Sequence, residues 1–169
     1  MSLKLRKKTN SNNVAGWRKR QVNEEKLNFS QWNPTTAAPF LKEKEGLRLR
    51  AYRDIGGVLT IGYGHTGGVH PGQVIDLKTA NRILLDDIQN IAEELAPYVH
   101  VPVTQGQFVA LISLAFNVGA PAVIRSRMLK YFNSGNMEKM RIEFLDFNRV
   151  NRVPNDTLTK RRQSELDLM

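Results

Sequence analysis

Glu45-Gly46-Leu47-Arg48-Leu49-Arg50-Ala51-Tyr52-Arg53-Asp54, continued after a short glycine-containing break by Thr60-Ile61-Gly62-Tyr63-Gly64-His65, is the stretch that decides the fold. Leu47, Leu49 and Ala51 alternate with Arg48, Arg50 and Tyr52, which is the two-residue period of a strand. Asp54-Ile55-Gly56-Gly57 interrupts this alternation, and Val58 to Tyr63 resumes it, so residues 47–63 predict a small antiparallel hairpin. The hairpin gathers three candidate chemical groups: Glu45 where the preceding helix ends, Asp54 at the turn and Thr60 on the return strand. Two carboxyl groups facing one cleft divide their work when their surroundings differ. One beside apolar surface keeps its proton as a general acid, and a better solvated one stays ionised. Such a pair is what glycoside hydrolysis requires.

Outward from the hairpin the pattern is helical. Upstream, Thr36 is the expected N-cap of a short helix carrying Phe40 and Leu41 and ending near Gly46. Asn33-Pro34-Thr35-Thr36 reads as a linker, residues 15–29 as a basic helix displaying Trp17, Val22 and Leu27, and residues 1–13 as a polar segment without a core. Downstream, Asp76 caps a helix with Ala80, Leu84, Ile88, Ile91 and Leu95 on one stripe. Thr104 and Gln107 form a capping box that opens a strongly apolar helix to about Asn117, stopped by Gly119. Further helices are expected near 122–133, 136–148 and 157–169, the last capped by Asp156 or Thr157. One small sheet with five or six helices is an α+β domain, expected over residues 34–169 behind an extension of residues 1–33.

Composition narrows the chemistry. The 169 residues, 41% of them hydrophobic, suffice for one globular core, and the absence of Cys excludes a disulfide scaffold. With no Cys and only His65, His70 and His100, no metal site and no cofactor are expected. The apolar run from Phe108 to Phe116 is about half the length of a membrane span, and no apolar stretch follows the basic first residues, so neither a transmembrane segment nor a signal peptide is expected. Of the net charge of +9, residues 1–33 carry +6, from eight Lys or Arg and two Glu. That extension favours anionic surfaces, lipopolysaccharide or membrane among them. The remainder carries only +3 and shows no reader motif, so nucleic acid is not an expected partner.

The quoted stretch closely resembles the phage-type lysozymes, the endolysin or muramidase family that includes the T-even phage lysozyme and the lambdoid phage endolysins. Phe116-Asn117-Val118-Gly119 is similar to the end of the family's buried helix, and Leu158-Thr159-Lys160-Arg161-Arg162-Gln163-Ser164-Glu165 to its C-terminal double-arginine segment. The likeness spans about residues 36–169; the family usually carries Gly where this chain has Thr157. It implies a lysozyme-like fold with the cleft between hairpin and helical lobe, and hydrolysis of the β-1,4 bond between N-acetylmuramic acid and N-acetylglucosamine in the glycan strands of peptidoglycan. By this resemblance Glu45 protonates the leaving oxygen, while Asp54 and Thr60 position a water on the opposite face of the sugar, an inverting outcome. His65, Arg161 and Arg162 support the site, one of the two arginines pairing with Glu45, and Gly62, Tyr63, Phe116 and Asn117 are candidate substrate contacts. The resemblance also implies a monomer that waits in the host cytoplasm for a holin pore and then acts in the periplasm on the wall. Two other functions are weighed against it: a lytic transglycosylase cutting the same bond, which works with a single essential Glu, and a non-catalytic basic protein that binds wall or nucleic acid.

Overall fold

A computed structural model describes residues 24–169. Its centre is the apolar helix, α3 (Gln105–Val118), in which every residue from Phe108 to Ala115 is buried. The expected capping box is formed: the Thr104 hydroxyl accepts from the Gln107 backbone N–H, and the Gln107 side chain accepts from the Thr104 N–H. Six further α-helices surround α3: α1 (Ala38–Glu45), α2 (Leu77–Leu95), α4 (Ala120–Ile124), α5 (Arg127–Asn133), α6 (Met137–Leu145) and α7 (Asp156–Leu166). In α2 the Asp76 carboxylate accepts from the Thr79 N–H at 2.7 Å, as its capping position predicts, and Ala80, Leu84, Ile88, Ala92 and Leu95 are buried.

The predicted hairpin is present as β1 (Arg48–Arg53) and β2 (Leu59–Gly62), antiparallel, with Tyr52 opposite Thr60 and Arg53 opposite Leu59. The register shifts between Arg48 and Tyr52, and β1 also exchanges hydrogen bonds with the segment around Val74: Ala51 donates to Gln73, and Ile75 to Leu49. The result is the mixed architecture read from the sequence, a small sheet beside a helical lobe.

The structure corrects several local expectations. A second hairpin, β3 (Arg149–Val150) with β4 (Val153–Pro154), follows α6, which ends at Leu145 and not at Asn148. Its turn holds Asn151 and Arg152 at φ 51° and 68°, the geometry of a tight two-residue hairpin connection. With two residues per strand and Arg in place of Gly, the sequence gives no periodic signal for it. The segment 122–133 is two helices, because Ser126 takes an extended conformation and caps α5. The cap of α7 is Asn155, whose side chain accepts from the Leu158 N–H at 3.0 Å, and not Asp156 or Thr157. Pro34–Ala37 forms a 3-10 turn capped by Asn33 rather than a linker, and it leads into α1 without a capping role for the Thr36 side chain.

The largest difference lies at the N-terminal edge. The part of the expected helix over residues 15–23 lies outside the described residues; residues 24–28 are not helical, and Phe29–Gln31 forms a short 3-10 turn. Leu27 bridges Val103, donating to its carbonyl at 3.0 Å and accepting from its N–H at 2.8 Å. Phe29, only 2% exposed, stacks on Phe108 with ring centroids 4.8 Å apart, and the Trp32 indole donates to Val103 O at 3.0 Å. Residues 27–33 therefore belong to the core, and the domain edge precedes Leu27 instead of falling at residue 34. Apolar residues spaced 27, 29, 32 match no regular period, so only the tertiary contact reveals them.

If Phe29 is part of the core, Phe29→Ala lowers the unfolding free energy by about 3 kcal/mol, as removal of a buried ring does. Chemical denaturation measures this, and a loss below about 0.5 kcal/mol would place residues 27–33 outside the cooperative unit.

Candidate active site

Glu45 is the last residue of α1, at the C-terminal end, where Gly46 turns the chain into β1 at a φ of 66°. Its side chain is 18% exposed and its Oε1 accepts from Arg161 Nη2 at 2.5 Å. The other carboxylate oxygen faces Gly64: a Cβ built there would lie 3.7 Å from Glu45 Oε2, and also 3.7 Å from the Phe116 ring. Glu45 thus has Gly64 on one side and an arginine on the other.

Asp54 and Thr60 both bond to the backbone of one residue, Val58. The Val58 N–H donates to Asp54 Oδ1 at 2.8 Å, and the Thr60 hydroxyl donates to Val58 O at 3.0 Å. Two backbone bonds close the turn: the Asp54 N–H donates to Val58 O and the Gly57 N–H to Asp54 O. Asp54 is exposed and Thr60 is 3% exposed, so the carboxylate is solvated while the hydroxyl is fixed against the sheet. The three residues singled out from the sequence are therefore carried by α1 and by the two sides of one hairpin, with the two carboxyl groups in unlike surroundings.

The other candidates separate into two groups. His65 Nδ1 lies 2.9 Å from Asp87 Oδ2, and His65 Nε2 lies 2.7 Å from Gly67 O. A carbonyl can only accept, so Nε2 carries a hydrogen, and a further proton is shared between Nδ1 and the carboxylate. Burial pushes the Asp87 carboxyl above its ordinary value, opposed by the hydrogen bond and charge of His65. The pair ties the loop after β2 to α2. Together with Gly64, Thr66, Gly67, Asn90, Ile91 and Phe116 it lines an open cavity of about 300 Å³. Gly62 and Tyr63 do not line this cavity. A Cβ on Gly62 would touch Ile75 and Ala80, while the Tyr63 ring is buried and its hydroxyl reaches Asn81 at 3.3 Å, so both pack toward α2.

The sequence left open which arginine meets Glu45, and the structure assigns it to Arg161. Arg162 is fully buried; it donates to Asn117 Oδ1 at 2.9 Å, to Phe147 O at 3.2 Å and to Glu165 Oε1 at 2.9 Å. Asn117 therefore serves the buried arginine. Burial lowers the Arg162 guanidinium from its ordinary value, against the raising effect of Glu165. Sequence reasoning gave no role to Glu165, Ser113 or Asp87. The first had a visible signal, since Glu165 stands four residues from Arg161 and three from Arg162 on one helix. Among the described residues no group of three or more His, Asp or Glu is placed to hold a metal ion, and no helix is long and apolar enough to cross a membrane.

The family model for phage lysozyme matches residues 42–165. The chain belongs to the phage lysozyme family. It is 43% identical over 131 residues to the endolysin of Bacillus phage B103, covering 76% of this chain and 50% of that protein. It thus spans about half of that relative's length. It is also 36% identical over 128 residues to the endolysin of Salmonella phage P22, covering 73% of this chain and 88% of that protein. A crystal structure of a P22 lysozyme variant superposes with a TM-score of 0.69 at 34% identity, covering 79% of this chain and 94% of that one. Membership makes the family's glycoside hydrolase chemistry the frame for this cleft, and the matched span contains Glu45, Asp54, Thr60 and Arg161.

Gly64 holds a φ of +94° with its α-carbon against the Glu45 carboxyl. Gly64→Ala places a side chain in a left-handed backbone conformation, an expected loss of about 1–2 kcal/mol. Thermal melts at matched conditions should show it together with reduced bacteriolysis, and an unchanged melt and unchanged rate would contradict the close packing described.

Proposed function

We propose that this lysozyme-family chain hydrolyses the β-1,4 bond between N-acetylmuramic acid and N-acetylglucosamine in peptidoglycan, with inversion, and serves host cell lysis. The observation that carries the reading is the contrast between the two carboxyl groups: Glu45, only 18% exposed, held by Arg161 and packed against Gly64, and Asp54 solvated beside Thr60. Glu45 gives its proton to the leaving glycosidic oxygen. The Asp54 carboxylate has one oxygen bound to the Val58 N–H, which fixes its orientation and leaves the second to take a proton from water. The Thr60 hydroxyl donates to Val58 O, which leaves its lone pairs available to accept from the same water. Asp54 also balances the positive charge that develops on the sugar ring. An inverting enzyme needs this water between the sugar and the second carboxylate, and Asp54 with Thr60 supplies a two-point hold for it. Arg161 keeps Glu45 directed at the cleft.

Release and targeting follow from the same reading. The protein reaches the wall through a holin pore, acts in the periplasm as a monomer, and uses its basic N-terminal segment to approach anionic lipopolysaccharide or membrane. The electrostatic basis is the +6 borne by residues 1–33, seven of its eight basic residues preceding residue 24. Because residues 27–33 are part of the core, the deletion that isolates this effect removes residues 1–23. It is expected to weaken binding to lipopolysaccharide vesicles at low salt while sparing clearing of stripped cells, and equal vesicle binding by both forms would refute the targeting role.

The test of the chemistry is turbidity loss of outer-membrane-stripped Gram-negative cells by the wild type and by folded Glu45→Gln. Clearing should fall by at least about a hundredfold in the variant, the size of a general-acid contribution. Mass spectrometry of the released muropeptides should show hydrated reducing ends; products lighter by one water would replace hydrolysis with transglycosylation, and undiminished clearing by Glu45→Gln would remove Glu45 as the acid.

A further inference from the structure

Glu165 has no exposed side-chain surface and stands between the two C-terminal arginines. Its Oε1 accepts from the Ser113 hydroxyl at 2.6 Å, from Arg162 Nη2 at 2.9 Å and from Arg161 Nε at 3.2 Å. Its Oε2 faces Arg162 Nε at 2.6 Å. Arg161 turns its Nη2 the other way, to Glu45, with Ser113 O and Oγ at 3.5 and 3.4 Å. One guanidinium is thus shared by two carboxylates, only one of which reaches the cleft.

A lone arginine against Glu45 is a poor arrangement for a general acid, because a neighbouring positive charge favours the ionised carboxylate. We propose that Glu165 is a positioning residue for the reaction: it holds the Arg161 guanidinium on the side away from the cleft and offsets its charge, so that Glu45 is aligned without being disarmed. This rests on Glu45 being the acid. The charge count gives the sign. Arg161, Arg162, Glu165 and an ionised Glu45 sum to zero, and protonating Glu45 takes the cluster to +1. With Gln at position 165 the same step goes from +1 to +2 and costs more. The remaining groups around the cluster do not change this count: Gly64 against Glu45, Ser113 against Arg161 and Phe116 beside Gly64 are neutral, Lys44 on α1 pairs with Glu43, and His65 is paired with Asp87.

The experiment is the pH profile of bacteriolytic rate for wild type, Glu165→Gln, Arg161→Met and the double variant, each checked for a cooperative melt. In Glu165→Gln the alkaline limb, where the acid loses its proton, should move to lower pH by about one unit, a roughly tenfold loss of rate on that limb. In the Arg161→Met background the same substitution should move the limb less, because only the direct charge effect of Glu165 is left and there is no Arg161 guanidinium to be released onto Glu45. A merely structural role predicts a lower melting temperature with superimposable normalised profiles, and that result overturns the proposal. So does a shift that persists undiminished without Arg161. If Glu165→Gln does not fold, Glu165→Asp keeps a charge for Arg162 while withdrawing it from Arg161, and a smaller shift in the same direction is expected. Failure of both to fold would confine Glu165 to the fold and end the assignment. Should Glu45→Gln clear cells as the wild type does, the reading of the acid fails instead, an outcome separate from these.

Discussion

The ionic cluster of Arg162, Glu165, Arg161 and Glu45 is the constraint on which the arrangement of this molecule depends. Two of its members are wholly buried, and a buried charge without its partner costs about 3–5 kcal/mol, so the four must assemble together or not at all. Assembling them fixes α7 against α3 through Ser113 and Asn117, against the end of α6 through Phe147 O, and against the end of α1 through Glu45. A set of nonpolar side chains of the same volume would fill this space at less electrostatic cost, yet it would leave the orientation of α1 to packing alone. The directed bonds of the guanidinium groups supply the angle at which Glu45 meets the cleft.

The opposite wall depends on a smaller device. Asp54 and Thr60 lie six residues apart in sequence, and the Val58 backbone between them accepts from one and donates to the other. A hairpin of two short strands is marginal by itself. Here its first strand also bonds to the segment at Gln73 to Ile75, and its return strand is locked by the reciprocal bonds of Ile61 with His65, whose ring is held by Asp87 on α2. The turn that carries Asp54 therefore borrows rigidity from the helical lobe. Glu45 owes its place to buried charge, and Asp54 owes its place to backbone bonding, which leaves it exposed to water.

Much of this was legible in the sequence because it is local. The hairpin strands, the glycines of the turn, the Asp76 cap, the Thr104 and Gln107 box and the apolar density of α3 each depend on residues within a few positions, and each is found where expected, although Leu47 before β1 and Leu49 on it are exposed and the strand's burial does not alternate. Glu45, Asp54 and Thr60 were recognisable for the same reason, since one helix end and one hairpin carry all three. What was missed is of the opposite kind. Phe29 and Trp32 join the core by contact with Phe108 and Val103, more than seventy residues away, without any periodic pattern. The second hairpin turns on Asn151 and Arg152 in left-handed conformations that the residue types do not announce.

The sequence by itself determined the mixed fold class, the helix and strand content around the site and which three side chains, Glu45, Asp54 and Thr60, stand as candidates there, all through short-range periodicity, capping and the quoted motif. Only the tertiary structure decided that Arg161 rather than Arg162 meets Glu45, that Glu165 and Ser113 stand behind it, and that the domain begins before Leu27. The reason is physical: neighbouring arginines on a helix point about 100° apart, and which of them reaches a carboxylate 116 positions away is set by how three helices pack, a quantity that no local pattern encodes.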